Sequence, residues 1–239
     1  MIRTLFVYIF LGLGVALVLP WFVLWTILSG NPDPMYLMAM HACAFALRTI
    51  GVRIRIEGLE NIPPGVCVFA SNHASNLDPM VLFPAIPRRI SVLIKKELLK
   101  IPILATGMKA AKFVAVDRGD RDAAAASVDQ AVQYLHEGLS FAVFPEGTRS
   151  RDGRMRPFKK GAVLMAIQAG VPLVPVSIAG AQNLMRKGSM KINGGDVTVR
   201  FGRAIDGSQF TVEQRNELVA QLEAEVAAGL PPDQRPLPQ

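Results

Sequence analysis

The sequence is poor in cysteine, histidine and aromatic residues, and each shortage removes a class of protein. Only two cysteines occur in 239 residues. Cys43 and Cys67 sit in apolar runs with no partner at zinc-ligand spacing, which excludes a disulfide framework and predicts buried free thiols in a domain facing the cytosol. The three histidines, His41, His73 and His136, are scattered, against a metal-dependent hydrolase; His136 is accounted for by the dipole at a helix C-terminus. No G-x-S-x-G segment is present, so there is no nucleophile elbow for an acyl-enzyme. Acidic residues are outnumbered 26 to 19 by Lys and Arg, giving a formal charge of +7. The isoelectric point near 9.7 calls for an anionic partner: nucleic acid, an acidic lipid headgroup, phosphate or an acidic carrier. Aromatic residues make up 7% of the chain, with no stacking platform and no nucleic-acid-binding module, so no nucleic acid is expected. Internal repeats are absent as well.

What the chain has in excess is apolar sequence, 51% of residues with a mean hydropathy of +0.31, concentrated at the N-terminus. Thr4 to Gly30 contains no charged residue and is long enough to cross about 30 Å of hydrocarbon as a helix. A cleavable signal would be shorter, whereas this run continues through Pro20, Trp21 and Trp25, so it is expected to be retained. A second run, Met35 to Leu47, is shorter and carries His41, which predicts an in-plane or re-entrant helix. Arg3 precedes the first run, and Arg48, Arg53 and Arg55 follow the second. The positive-inside bias then puts both flanks on the cytoplasmic side and gives a hairpin that dips into the bilayer and returns. The alternative is a single-pass helix with the other run in the core.

From Val52 onward short β-rich runs alternate with helical segments, the pattern of an α/β fold with a mostly parallel central sheet flanked by helices. The expected strands are Val52 to Ile56, Val66 to Ser71, Ile90 to Ile94, Lys112 to Val116, Ser140 to Phe144, Leu173 to Ile178 and Val197 to Phe201. Several are continuous apolar runs, as in buried sheets. Arg121 to Glu137 and Lys159 to Ala169 are expected helices, each stopped by glycine. Thr211 and Gln214 predict a capping box for a last helix that buries Val212, Leu218, Leu222 and Val226. The expected organisation is thus membrane-anchoring helices over 1–50, an α/β domain over 51–230 and a disordered Pro-rich tail over 231–239.

Ligands of open α/β sheets bind beyond the carboxyl ends of strands, so the residues after each strand carry the functional argument. After the second strand comes Asn72-His73-Ala74-Ser75-Asn76-Leu77-Asp78-Pro79. His73 and Asp78, five apart, meet only across a turn, where a carboxylate orients an imidazole that takes a proton from an attacking group. Asp78 before Pro79 also has the form of a helix N-cap, a sufficient reason for its presence by itself. After Phe144 comes Pro145-Glu146-Gly147-Thr148-Arg149-Ser150, opening a loop with Arg149, Arg151, Arg154, Arg156, Lys159 and Lys160 against Asp152 alone. Gly147 permits a tight turn that presents Arg149 for a bidentate phosphate contact. Arg118, after the fourth strand, is a second candidate of the same kind.

These residues resemble the glycerolipid acyltransferase family, and within it the bacterial 1-acyl-sn-glycerol-3-phosphate acyltransferases. The family's Asn-His-x4-Asp block matches Asn72, His73 and Asp78, and its Phe-Pro-Glu-Gly-Thr-Arg-Ser block matches Phe144 to Ser150 without substitution. A further block, Gly-x-x-Phe-(Ile/Val)-x-Arg, is looser: Phe113 and Val114 fit, but Ala110 or Ala111 stands near the glycine and Arg118 comes two residues late. Val171 to Val176 and Lys95-Lys96-Glu97-Leu98 also look like family segments, so the resemblance runs from Val52 to Phe201. It implies His73 as general base toward the acceptor hydroxyl, Asp78 as the group that holds its tautomer, and Glu146, Gly147, Thr148 and Arg149 around the acceptor's phosphate. Arg118 and Lys96 follow as further substrate contacts. Glu146 has a second reading, in which it positions Arg149 and the turn without touching substrate. The implied partners are a lysophospholipid, the bilayer, and acyl-CoA or acyl carrier protein as co-substrate, with no cofactor and no metal. A different lysolipid acceptor, such as a lyso-ornithine lipid, or a silent anionic-lipid-binding protein are the alternatives.

Overall fold

The computed structural model describes residues 2–117, 119–186 and 188–237. Its centre is a mostly parallel sheet whose middle strands are hydrophobic end to end because both faces are covered. β1 is Val52–Glu57, β2 Val68–Ser71, β3 Ile90–Lys95, β4 Val114–Val116, β5 Ser140–Val143, β6 Pro172–Ala179, β7 Gly195–Phe201 and β8 Ile205–Asp206. The order is β1-β7-β6-β2-β5-β3-β4. From β6 to β4 every pairing is parallel, while β7 runs antiparallel to β6 and carries β1 parallel to itself. The expected mostly parallel α/β sheet is what forms, with β2 and β5 wholly buried at its middle. The two-residue β8, which pairs with the start of β6, was not anticipated: it is too short to show a period.

Alternate side chains of the central strands enter two cores, as the pleat requires. Phe69, Val174 and Val176 face one, and Val68, Ala70 and Leu173 the other. The second core is closed by α6 (Arg121–His136), α7 (Gly161–Ala169) and α9 (Arg215–Ala228). The carboxylate of Asp120 caps α6 by accepting from the amides of Asp122 and Ala123, and α7 stops at Gly170, whose φ of 62° an L side chain would resist. The last helix corrects the expectation in part. The Thr211 amide does donate to Gln214 Oε1, but α9 starts only at Arg215, and Val212 stays exposed while Leu218, Leu222 and Val226 are buried. The tail expected to be disordered is held as far as Arg235. Met155 N donates to Gln234 O, Arg154 reaches the carbonyls of Pro232 and Arg235, and Gln234 is buried.

The other core is closed by the N-terminal segment. α1 (Ile2–Leu13), a π turn over Gly14–Val18 and α2 (Leu19–Ser29) make one continuous helix of 28 residues. Gly30 turns the chain at φ 68°, and α3 (Asp33–Ile50) returns, longer than the run read from Met35 to Leu47. One stripe of this hairpin packs on the sheet side: Val7, Ala46, Leu47 and Ile50 lie in the same core as Phe69 and Val176. The Thr4 hydroxyl donates to Ile192 O, and Tyr8 to Met190 O. The opposite stripe, with Phe6, Ile9, Leu13, Leu17, Trp21 and Leu24, is exposed and wholly apolar.

This packing makes a contrast within one helix. Leu47 is 1% exposed and Phe45 is 49% exposed. Leu47→Ala should cost about 2–5 kcal/mol of stability in detergent solution, whereas Phe45→Ala should cost under about 1 kcal/mol. Thermal unfolding of the two variants checks it; equal, small losses would mean that α3 is not part of the folded core.

Candidate active site

Register brings the site together. Ala70 of β2 pairs with Val143 of β5, so the segments that follow, Asn72-His73 and Pro145-Glu146, leave the carboxyl edge of the sheet side by side. Asn72 fastens the first of them. Its side-chain amide donates to Ile178 O while its oxygen accepts from Ile178 N, which ties the end of β2 to β6 in buried surroundings. His73 is then held by its own backbone: its amide donates to Glu146 Oε1 at 2.8 Å, and its carbonyl accepts from Ser150 N at 2.9 Å. The loop after β2 and the turn after β5 are therefore one hydrogen-bonded unit.

The side chain of Asp78 completes it. Its Oδ2 accepts from His73 Nδ1, from Ala74 N and from Ser75 N, all at 2.7 Å. Asp78 is the first residue of α4 (Asp78–Ala85), and the N-cap position belongs to Leu77, which has no side-chain cap. The N-cap role open to Asp78 in the sequence is thus not taken: the carboxylate turns back into the loop, where three N–H groups outbid the helix end. Because a carboxylate only accepts, His73 Nδ1 carries the proton in the neutral ring, and Nε2 has no partner among the described residues. The face of the imidazole stacks on Phe144 with centroids 4.4 Å apart and planes at 26°. Phe144 and Ser150 had no assigned role in the sequence reading; their place inside the matching block was the only signal.

Glu146 has the most perturbed environment of the group. At 4% exposure it is buried, and burial pushes its carboxyl up to about 8. The backbone N–H groups of His73 and Arg156 oppose that rise and the nearby Asp78 adds to it. One of its oxygens, Oε2, is buried without a hydrogen-bond partner among the described residues, as are Asp78 Oδ1 and Ser150 Oγ. The Glu146 carboxyl thus supports the loop through the His73 amide. Gly147 is needed twice: its φ is 71°, and a Cβ there would stand 3.0 Å from Lys159 Cε. Thr148 is exposed and Arg149 half-buried in the same turn.

One expected contact lies further out. Lys96 is at the carboxyl end of β3, two strands from His73, with an exposed side chain whose Nζ is 3.4 Å from Asp117 Oδ2. Arg118 lies outside the described residues.

A family model described as Acyltransferase matches residues 53–179, from β1 to the end of β6. The chain belongs to the Acyltransferase family. A protein of Limnanthes douglasii named 1-acyl-sn-glycerol-3-phosphate acyltransferase is 35% identical over 188 residues, covering 78% of this chain and 66% of that protein. One of the same name from Borreliella burgdorferi is 29% identical over 193 residues, covering 80% and 77%. The chain thus spans just under two thirds of the plant relative's length. A crystal structure of the 1-acyl-sn-glycerophosphate acyltransferase PlsC from Thermotoga maritima superposes with a TM-score of 0.82 at 28% identity, covering 95% of this chain and 93% of that one. The structural match extends beyond residues 53–179 and includes the N-terminal helices that close the core.

Within this member of the family, the raised Glu146 carboxyl has a measurable consequence. The unfolded chain loses that proton near its ordinary value of 4.5 while the folded chain keeps it to about 8. Stability from this group is therefore full below pH 4.5 and is lost as pH rises through 8. Glu146→Gln carries no such proton, so its melting temperature should gain on wild type by on the order of 5 °C between pH 5 and pH 9. A constant gap across that range would show that Glu146 is not held neutral in the fold.

Proposed function

We propose that the protein moves a fatty acyl group from an acyl thioester to the sn-2 hydroxyl of 1-acyl-glycerol-3-phosphate, forming phosphatidic acid. The observation that carries this reading is the His73 ring, held at Nδ1 by Asp78 and bare at Nε2, beside the Gly147–Arg149 turn. His73 Nε2 takes the proton of the acceptor hydroxyl as its oxygen attacks the thioester carbonyl carbon. The C–S bond then breaks, and the thiolate leaves with the proton held by His73. No side chain is acylated. Arg149 anchors the acceptor's phosphate, which does not react, and so orients the hydroxyl. Lys96 is a contact for the anionic donor, acyl-CoA or acyl carrier protein, together with the basic loop after Arg149, and Arg118 is a second phosphate contact of the same kind as Arg149. No cofactor or metal is required.

The apolar partner of this chemistry has a place. A cavity of about 680 Å³ lies between the N-terminal hairpin and α5 (Pro102–Ala110), lined by side chains such as Phe10, Val15, Leu19, Met108 and Phe113. Its walls suit an acyl chain. The exposed stripe of α1 and α2 suits lipid, and the inner stripe packs on the protein from Thr4 near Ile192 to Val23 near Gly107. A helix covered along one side in this way lies in one leaflet. We place it in the inner membrane with the α/β layer on the cytoplasmic face, consistent with Arg3, Arg48, Arg53 and Arg55.

Transfer from acyl-CoA or acyl carrier protein to 1-acyl-glycerol-3-phosphate, followed by product analysis, tests the reaction. His73→Ala should lower turnover by about 10² or more, the share of a general base. Arg149→Lys should raise the acceptor KM by about tenfold with less effect on the donor. Retention of more than a tenth of wild-type turnover in His73→Ala, or an equal Arg149→Lys penalty on an acceptor without phosphate, would contradict the reading.

A further inference from the structure

A second cavity, of about 560 Å³, opens at the other edge of the sheet. Its walls are the first half of α3, with Asp33, Leu37 and His41, the end of α4, with Phe83, and the turn from α4 to β3, with Arg88 and Arg89. The turn leads directly into Ile90, which pairs with Ser140 at the start of β5, whereas His73 is held by Glu146, three residues past the end of β5. The four-residue strand Ser140–Val143, a rise of roughly 10 Å, and the start of the following turn lie between them. The cavity therefore does not belong to the His73 centre, and the function proposed above does not use it.

Its polar groups are unbalanced toward positive charge. Two guanidiniums line it against the single carboxylate of Asp33. Arg89 Nη1 donates to Asp33 Oδ1 at 2.9 Å, while Arg89 Nε is buried with no partner among the described residues. Arg88 gives its N–H groups to the carbonyls of Gly65 and Pro63, which fix it in place without neutralising it. His41 Nδ1 is 2.8 Å from Leu37 O and so carries the proton in the neutral ring, leaving Nε2 as an acceptor. The remaining walls are apolar: Leu37, Met40, Phe83 and Ile86 among them. Leu37 and Phe45 of the same helix are exposed, and Tyr36, Met40 and His41 also line the large apolar cavity on the other side of α3. A cationic niche with an apolar floor, on a helix whose neighbours face outward with bare hydrocarbon, is complementary to one class of ligand.

We propose that this cavity binds the phosphate-bearing headgroup and upper acyl chain of an anionic membrane phospholipid, at a site separate from catalysis. The inference rests on the membrane residence proposed above, but not on the chemistry at His73. Arg89 supplies the exchangeable contact: a lipid phosphate competes with Asp33 for Nη1 of its part-exposed guanidinium, while Arg88 contributes fixed positive charge. Asp33 is thus an internal competitor that weakens binding.

That competition gives a test with a sign. Phosphatidylglycerol is titrated into the full-length protein in nonionic detergent, and bound lipid is counted by native mass spectrometry. One phosphatidylglycerol per chain should be retained, with phosphatidylcholine retained at least about tenfold less. Arg89→Gln should weaken retention about tenfold, and Asp33→Asn, which frees Arg89, should strengthen it about threefold. Millimolar inorganic phosphate should not displace the lipid, because it lacks the apolar contacts; displacement would make this a free-anion site and overturn the lipid assignment. Unchanged or weakened retention in Asp33→Asn would overturn the proposal as well, and that variant keeps the test readable if Arg89→Gln folds poorly. Acyl transfer in detergent should be the same in Asp33→Asn and wild type, so loss of the lipid site and loss of the catalytic reading are distinguishable.

Discussion

The site depends on one buried carboxylate. Asp78 Oδ2 gathers three N–H groups at 2.7 Å, two from the backbone of Ala74 and Ser75 and one from the ring of His73. The backbone pair shapes the loop so that the ring can reach, and the ring bond then selects the tautomer that leaves Nε2 open. Hydrogen bonds to a charged acceptor are worth about 1.5–3 kcal/mol each, more than a helix cap returns, which is why Asp78 gives up the start of α4 to its uncapped neighbour Leu77. Glu146 works from the other side. Held neutral by burial up to a pH near 8, it accepts the His73 amide without placing a second anion beside Asp78.

Around that unit the fold supplies rigidity on one side and apolar surface on the other. Asn72 locks the end of β2 to Ile178, and Ser150 locks the turn after β5 to His73, so the reacting groups rest on the two most buried strands of the sheet. The N-terminal hairpin closes the opposite face: its inner stripe completes a core that the sheet could not bury alone, and its outer stripe stays bare. A soluble domain rarely leaves so continuous an apolar face uncovered. One segment thus serves folding and lipid contact together.

Much of this was legible in the sequence, for reasons that differ by residue. Buried parallel strands are hydrophobic on both faces, so β2, β5 and β6 stood out as apolar runs. His73, Asp78 and the Phe144–Ser150 block stood out by residue type and spacing. The choice between N-cap and ring partner for Asp78 was not legible, since both need the same residue before Pro79 and only the path of the loop decides. Nor was the stacking of Phe144, which depends on β2 and β5 being neighbours although Phe144 lies 71 positions after His73 in the chain. The tail from Pro231 reads as structureless because proline suppresses periodicity, yet Gln234 and Arg235 are held by backbone contacts that composition does not encode. Electrostatic neutrality at Glu146 is likewise a property of burial and neighbours, absent from the letters.

The central claim is that Asp78 fixes the proton of His73 on Nδ1 and keeps Nε2 open to substrate. Nitrogen-15 NMR of the ring, with His41 and His136 replaced to isolate the signal, reads this directly. For the neutral ring the account predicts a protonated Nδ1 and an unprotonated Nε2, with that preference lost in Asp78→Ala. A neutral ring carrying its proton on Nε2 in the wild-type protein would contradict it.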